Sequence, residues 1–124
     1  MQKLIIFEGI ASSGKTTLER MLHEHYAGSV IVSEGRTLMP IIDNKEPQKA
    51  VDYLFGVLDD IEQQSGKIFI VDRFHFTHAF RTGSSLSSFS DIDKRIGTHF
   101  VPLIVFLYMD HKVVSERIQE TIKL

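Results

Sequence analysis

The sequence contains no cysteine, which excludes a disulfide framework and any metal site built from thiolates. It also lacks a strong excess of charge of either sign, since its formal net charge is -2. A weakly acidic surface disfavours general nucleic-acid binders and membrane-surface binders, because both classes depend on positive charge. The charge balance therefore predicts a protein that binds neither nucleic acid nor membranes.

Long apolar runs are absent as well. The first run, at residues 4–7, ends at Glu8 and is too short for a signal-peptide core or a membrane span. A cytoplasmic location is therefore expected, and the lack of cysteine agrees with a reducing compartment. With 124 residues and no linker-like segment, the chain is predicted to form a single domain over residues 1–124.

Short apolar runs alternate with helical patterns along the chain. Runs without polar alternation are typical of strands buried on both faces, and they occur at residues 4–7, 30–32, 68–71 and 103–109. Residues 35–46 and 82–90 are predicted to be loops. Helices are predicted to begin at Lys15 and Pro47, to pass through Ile92 and Ile96, and to follow a cap at Asp110. This order predicts an α/β fold with helices on both faces of a parallel sheet.

A glycine-rich segment separates the first strand from the first helix. Its spacing, Gly9, four residues, then Gly14-Lys15-Thr16, fits the phosphate-binding P-loop. Backbone amides and the helix N-terminus would cradle phosphates, Lys15 would reach the β- and γ-phosphates, and Thr16 would ligate Mg²⁺. The predicted fold is thus a three-layer P-loop NTPase fold with strand order 2-3-1-4. The predicted ATP-binding residues are Gly9, Ile10, Ala11, Ser12, Ser13, Gly14, Lys15, Thr16 and Thr17.

The third strand ends in Asp72-Arg73. An aspartate at this point can hold Mg²⁺ together with Thr16, so magnesium is the expected cofactor of ATP. Many ATP-hydrolysing motors have a water-activating glutamate after this aspartate, whereas Arg73 suits an acceptor phosphate. This favours phosphoryl transfer over an ATPase coupled to a partner. A GTPase is disfavoured, since Asn44-Lys45 is not followed by the aspartate of a guanine-reading motif.

Several segments resemble thymidylate kinase and its deoxynucleoside kinase relatives. They are residues 7–9, residues 14–17, the stretch from Val71 to Thr77 with Ala79-Phe80, and Glu116-Arg117-Ile118. The resemblance implies a kinase that transfers the γ-phosphoryl of ATP to a small acceptor, a nucleoside monophosphate. It implies that Arg73 binds the acceptor phosphate, that Phe80 lines the acceptor pocket with Phe76 behind it, and that Phe55 matches a base-stacking aromatic.

The chain departs from thymidylate kinases at Ala11, at Asp59 and in the segment Ser33-Glu34-Gly35-Arg36. By the resemblance, these differences lie on the acceptor side and not on the ATP side, so the acceptor stays open. In an alternative, Glu34 is the general base of a deoxynucleoside kinase and Arg36 steadies a phosphate. The candidate catalytic residues are therefore Lys15, Asp72, Arg73 and Glu34.

The arginine-bearing lid and fifth strand that the resemblance implies would follow Leu124. A chain truncated at its C-terminus is therefore expected, or one whose closing parts come from a partner, as a homodimer would allow. Because a lid excludes water from phosphoryl transfer, a further alternative is a nucleotide-binding module or remnant without catalysis. Apolar surface is expected to be exposed along residues 103–109.

Overall fold

The computed structural model describes residues 1–9, 15–33, 37–66 and 68–107, together with Glu116, Gln119 and Glu120. Four strands of this described part form one sheet: β1 (Lys3–Gly9), β2 (Val30–Val32), β3 (Ile68–Asp72) and β4 (Val101–Leu107). Within the described residues up to Leu107, five helices connect or flank them: α1 (Lys15–His25), α2 (Leu38–Asp43), α3 (Pro47–Gln63), α4 (His75–Arg81) and α5 (Ser90–His99). A 3-10 turn, Leu86–Phe89, leads into α5.

The strands lie in the order β2-β3-β1-β4, and every neighbouring pair is parallel. This confirms the predicted fold class and strand order. In the register of the two central strands, Lys3 is opposite Ile68 and Phe7 is opposite Asp72. The carboxyl ends of β1 and β3 therefore meet at the same end of the sheet, where open α/β folds place their binding crevice.

The hydrophobic core lies between the sheet and the α3, α4 and α5 helices. Helix α3 begins at Pro47, as predicted, and its buried side chains recur at the spacing of one helix face. Truncating a fully buried member such as Leu54 to alanine would cost about 2–5 kcal/mol. The buried apolar residues of α3 are Ala50, Val51, Leu54, Leu58 and Ile61.

Two helices differ from the sequence prediction. Helix α2 lies within the predicted loop 35–46, and Pro40 is compatible with it because the amides of the first turn have no partner within the helix. Leu38 and Ile42 anchor α2 in the interior. Helix α4 follows β3 directly and was not predicted, while the predicted loop 82–90 contains the 3-10 turn.

Strand β4 begins at Val101, two residues before the predicted start, and it is partly uncovered. Val101, Leu103 and Phe106 are 47%, 58% and 60% exposed. The expected apolar exposure is therefore present along the described part of residues 103–109, whereas Met109 and the predicted helix after Asp110 lie largely outside the described residues. None of the described helices is long and apolar enough to cross a membrane.

Candidate phosphate and acceptor site

The predicted phosphate loop leaves the sheet at Gly9, the last residue of β1. Gly9 has φ +141°, and a Cβ atom there would lie 2.9 Å from the carbonyl oxygen of Leu107 on β4. This close approach requires glycine. The predicted ATP-binding residues Ile10, Ala11, Ser12, Ser13 and Gly14 lie outside the described residues.

Helix α1 begins at Lys15, where the P-loop pattern places the start of a helix. The Lys15 side chain is only 3% exposed, and its Nζ lies 2.9 Å from Oδ1 of Asp72. Thr16 and Thr17 are exposed on the first turn. The structure thus brings together Lys15 and Asp72, two of the predicted catalytic residues, with Thr16 on the same helix turn.

A second carboxylate, which the sequence did not single out, belongs to this cluster. Glu19 lies one turn after Lys15 on α1 and is buried, and its Oε1 has no hydrogen-bond partner among the described residues. Burial first, and then the neighbouring Asp72 carboxylate, raise the pKa of Glu19 to about 7, while Lys15 opposes the shift. The sequence could have indicated that Glu19 neighbours Lys15, because residues four apart share a helix face.

Arg73 follows Asp72 in a left-handed backbone conformation with φ +58°. Its N–H donates to the carbonyl oxygen of Phe7 on β1, with an N–O distance of 2.8 Å. A side chain in this conformation costs about 1–2 kcal/mol, so surrounding contacts must impose it. Strained residues of this kind cluster at binding and active sites.

Glu8 provides the next contacts. Its carboxylate is buried on β1, and Oε1 accepts a hydrogen bond from the N–H of Phe74 at 2.5 Å. Its Oε2 accepts hydrogen bonds from the N–H of Thr77 and from the Thr77 hydroxyl, the latter at 2.7 Å. Burial raises the pKa of Glu8 above its ordinary value, and the hydrogen bonds from Thr77 and Phe74 oppose this shift without cancelling it.

A narrow cleft opens beside Asp72 and Arg73. Its walls are mostly apolar, and its polar groups include the Tyr53 side chain and the His78 imidazole. The residues that line it come from five secondary-structure elements and the turns next to them: Val32, Ser33, Leu38, Tyr53, Leu54, Val57, Val71, Asp72, Arg73, Phe74 and His78.

His78 is fully buried in the wall of this cleft. Burial, with a smaller contribution from the Arg81 charge, lowers its pKa to about 4, while a hydrogen bond with the Arg73 backbone opposes the shift, so the imidazole is neutral at pH 7. His75 is also buried, and its Nε2 lies 3.1 Å from Oδ1 of Asp93. Among the described residues, no three His, Asp or Glu side chains converge as a metal site.

The predicted acceptor aromatics do not line this cleft. Phe55 lies on the side of α3 that faces α5, where the Arg95 guanidinium carbon is 5.7 Å from the ring centroid and Arg95 pairs with Asp59. Because successive helix residues are about 100° apart, the cleft receives other residues of α3 instead of Phe55.

Phe76 and Phe80 lie in a different cleft, which they share with Phe106 and Gly9. The rings of Phe76 and Phe106 are 5.3 Å apart, and Phe80 is 84% exposed. Phe76 and Phe80 therefore line a different cleft from the one that Arg73 lines. The predicted base Glu34 and the predicted phosphate ligand Arg36 lie outside the described residues.

Comparison with known proteins identifies the fold. No family model matches the sequence, and no curated protein matches it. The chain is similar to the crystal structure of a thymidylate kinase from Ehrlichia chaffeensis, with a TM-score of 0.55 and 20% identity over 99% of this chain and 86% of that chain.

A second similar structure belongs to the Pnkp1/Rnl/Hen1 RNA repair complex, with a TM-score of 0.54 and 16% identity over 97% of this chain and 37% of that one. A deoxyadenosine kinase from M. mycoides aligns with a TM-score of 0.47 and 13% identity, over 94% of this chain and 70% of that chain. Identities this low establish the fold alone, and the chain has a P-loop kinase-like fold.

Proposed function

We propose that this protein transfers the γ-phosphoryl group of ATP to a nucleoside monophosphate. One observation carries the proposal: the buried Lys15 at the start of α1 pairs with Asp72 at the end of β3, and Arg73 lines the adjoining cleft. In this proposal Lys15 binds phosphates, Asp72 holds the metal and Arg73 binds the acceptor phosphate, and all three lie at the same end of the sheet.

The donor side is built by β1 and α1. ATP would bind along residues 9–17, with backbone amides and the positive end of the α1 dipole meeting its phosphates and Lys15 meeting the β- and γ-phosphates. The carboxylates of Asp72 and Glu19 are the kind of oxygen ligand that Mg²⁺ prefers. Asp72 is only partly buried, so an ion can reach it, and Oε1 of Glu19 has no hydrogen-bond partner among the described residues. Thr16 and Asp72 would hold the ion, which when bound neutralises charge on the phosphates.

The acceptor side is the cleft beside Arg73. The guanidinium would bind the acceptor phosphate and turn one of its oxygens towards the γ-phosphorus. The bond between that oxygen and the γ-phosphorus forms as the bond to the β–γ bridging oxygen breaks, and ADP leaves. A phosphate oxygen is already deprotonated at pH 7, so this acceptor requires no general base.

A nucleoside hydroxyl would be a different kind of acceptor, because its proton must pass to a base such as Glu34. Arg73 in the wall of the cleft favours the phosphate acceptor, since a cation suits an anion better than a neutral hydroxyl. We accordingly propose Arg73 and the cleft residue Tyr53 as acceptor contacts. Phe55, Phe76 and Phe80 are left out of this set because they lie outside the cleft.

The test combines nucleotide binding with an acceptor panel. MgATP titration by calorimetry should show binding that Lys15→Ala abolishes, whereas Lys49→Ala, which removes an exposed lysine on α3, should leave it intact. A panel of nucleoside monophosphates and matching nucleosides should yield a diphosphate product. Transfer to nucleosides alone would favour the Glu34 alternative, and ATP binding with a silent panel would favour a module without catalysis.

A further inference from the structure

Glu8 links the predicted phosphate loop to the turn that carries Arg73. It is the residue before Gly9, and its carboxylate is 1% exposed. Three donors converge on this carboxylate from the far side of the Arg73 turn: the N–H groups of Phe74 and Thr77 and the Thr77 hydroxyl. Burying a carboxylate is costly unless hydrogen-bond donors satisfy it. Here the donors come from the segment after β3, so the carboxylate joins that segment to β1 and fixes their relative position.

The turn at Arg73 is held by β1 on both sides. The N–H of Arg73 donates to the carbonyl oxygen of Phe7, and the N–H of the next residue, Phe74, donates to Glu8. These two contacts hold a backbone whose φ of +58° is unfavourable for any residue with a side chain. The direction in which the Arg73 side chain leaves the backbone is therefore set from β1.

We propose that Glu8 is a positioning residue that holds Arg73 in register with the phosphate loop. This inference rests on the proposed function, because it takes Arg73 as the ligand of the acceptor phosphate and the loop after Gly9 as the site of the donor phosphates. Glu8 adjoins Gly9 and is hydrogen-bonded to the turn that carries Arg73. Glu8 itself contacts neither substrate. It acts through the turn at residues 73–74, and a shift there would move the acceptor phosphate relative to the γ-phosphorus.

The carboxylate form of Glu8 is the form that matches these contacts, since a carboxylate offers acceptors only and all three neighbours donate. In Glu8→Gln, the amide NH₂ must face an N–H group, so at least one contact is lost without a change of size. Thr77→Val removes the hydroxyl contact alone and keeps Glu8, so it probes the same link if Glu8→Gln does not fold. Thr77→Ser keeps the hydroxyl and is the matched control.

The first measurement does not depend on the acceptor. The Nε–H signal of Arg73 and the exchange of the Phe74 amide, followed by NMR, should change in Glu8→Gln and less in Thr77→Val, whereas the affinity for ADP should stay within about twofold. Unchanged Arg73 signals would overturn the inference. A loss of ADP affinity as large as the change at the acceptor side would show general damage to the fold and would overturn it too.

The second measurement separates this inference from the proposed function. Titration with AMP, CMP, GMP, UMP and thymidine monophosphate, each beside its nucleoside, should reveal a monophosphate whose Kd rises about tenfold in Glu8→Gln, with the nucleoside unaffected. If the wild-type protein binds no monophosphate, the proposed function fails, while the NMR result still decides whether Glu8 positions Arg73. A monophosphate that binds wild-type protein and Glu8→Gln equally well would contradict the inference.

Discussion

The Nζ atom of Lys15 lies 2.9 Å from Oδ1 of Asp72, so the cation expected to meet phosphates is paired with the carboxylate expected to hold a metal. The pair is largely buried on the lysine side. Arrival of a polyphosphate would replace Asp72 as the partner of Lys15, and a metal ion would become the new partner of Asp72. Nucleotide and metal binding are therefore expected to depend on each other.

Asp72→Asn tests this dependence. The variant removes the charge that competes for Lys15, so ADP without metal should bind at least as tightly as it binds to the wild-type protein. The gain in ADP affinity that Mg²⁺ provides should fall by about tenfold, because a metal ligand is lost. Calorimetric titrations in Mg²⁺ and in EDTA measure both effects, with Asp52→Asn on the exposed face of α3 as control. An undiminished Mg²⁺ effect in Asp72→Asn would remove Asp72 from the metal site.

Glu19→Gln should stabilise the protein at alkaline pH. The folded-state pKa of Glu19 is raised from 4.5 to about 7, so its contribution to stability is full below pH 4.5 and is lost as the pH rises through 7. Glutamine stays neutral, and the variant should gain about 2 kcal/mol of unfolding free energy at pH 8 relative to pH 4.5. Urea denaturation at both pH values measures the gain. Glu24→Gln, exposed on the same helix, should show none.

His78 should make stability fall in acid. Its folded-state pKa is lowered from 6.5 to about 4, so the stability that it contributes is present above pH 6.5 and is lost as the pH falls through 4. The difference in unfolding free energy between wild type and His78→Gln should shrink by about 3 kcal/mol over this range. His25→Gln, at an exposed position of α1, is the control. A difference that is independent of pH would mean that His78 titrates normally in the folded state.

Gly9→Ala should damage the fold locally. Its Cβ would lie 2.9 Å from the Leu107 carbonyl oxygen, at a φ of +141° that side chains rarely adopt. The expected loss of unfolding free energy is about 1–3 kcal/mol, measured by urea denaturation. Gly56→Ala, within α3 and without any atom close to the added Cβ, should instead gain about 0.5–1 kcal/mol. Equal stability of the two variants would show that β1 and β4 can separate at this point.

The sequence was sufficient to predict the sheet and the donor half of the site. Four uninterrupted apolar runs became the four parallel strands, and Pro47 marked the first residue of α3 because its ring favours that position. The P-loop spacing placed Lys15 at a helix start, and the ends of parallel strands brought Asp72 towards it. These features follow from local pattern and chain direction alone.

The remainder depends on contacts that join distant segments. Helices α2 and α4 are six and seven residues long, too short to form without the tertiary packing that holds them. Glu8 is buried because donors from residues 74–77 meet it, and no spacing in the sequence pairs these two segments. The side of α3 that faces the cleft likewise depends on how α3 packs against α5. Phe55 faces Arg95 of α5 and does not line the cleft beside Arg73.

The uncovered face of β4 has a practical consequence. Strand β4 carries no charged residue from Val101 to Leu107, and among the described residues its only strand partner is β1. An uncharged edge with large apolar side chains is a template on which further chains can add as strands. The purified protein is therefore expected to aggregate as its concentration rises, so light scattering across a dilution series should accompany every binding measurement.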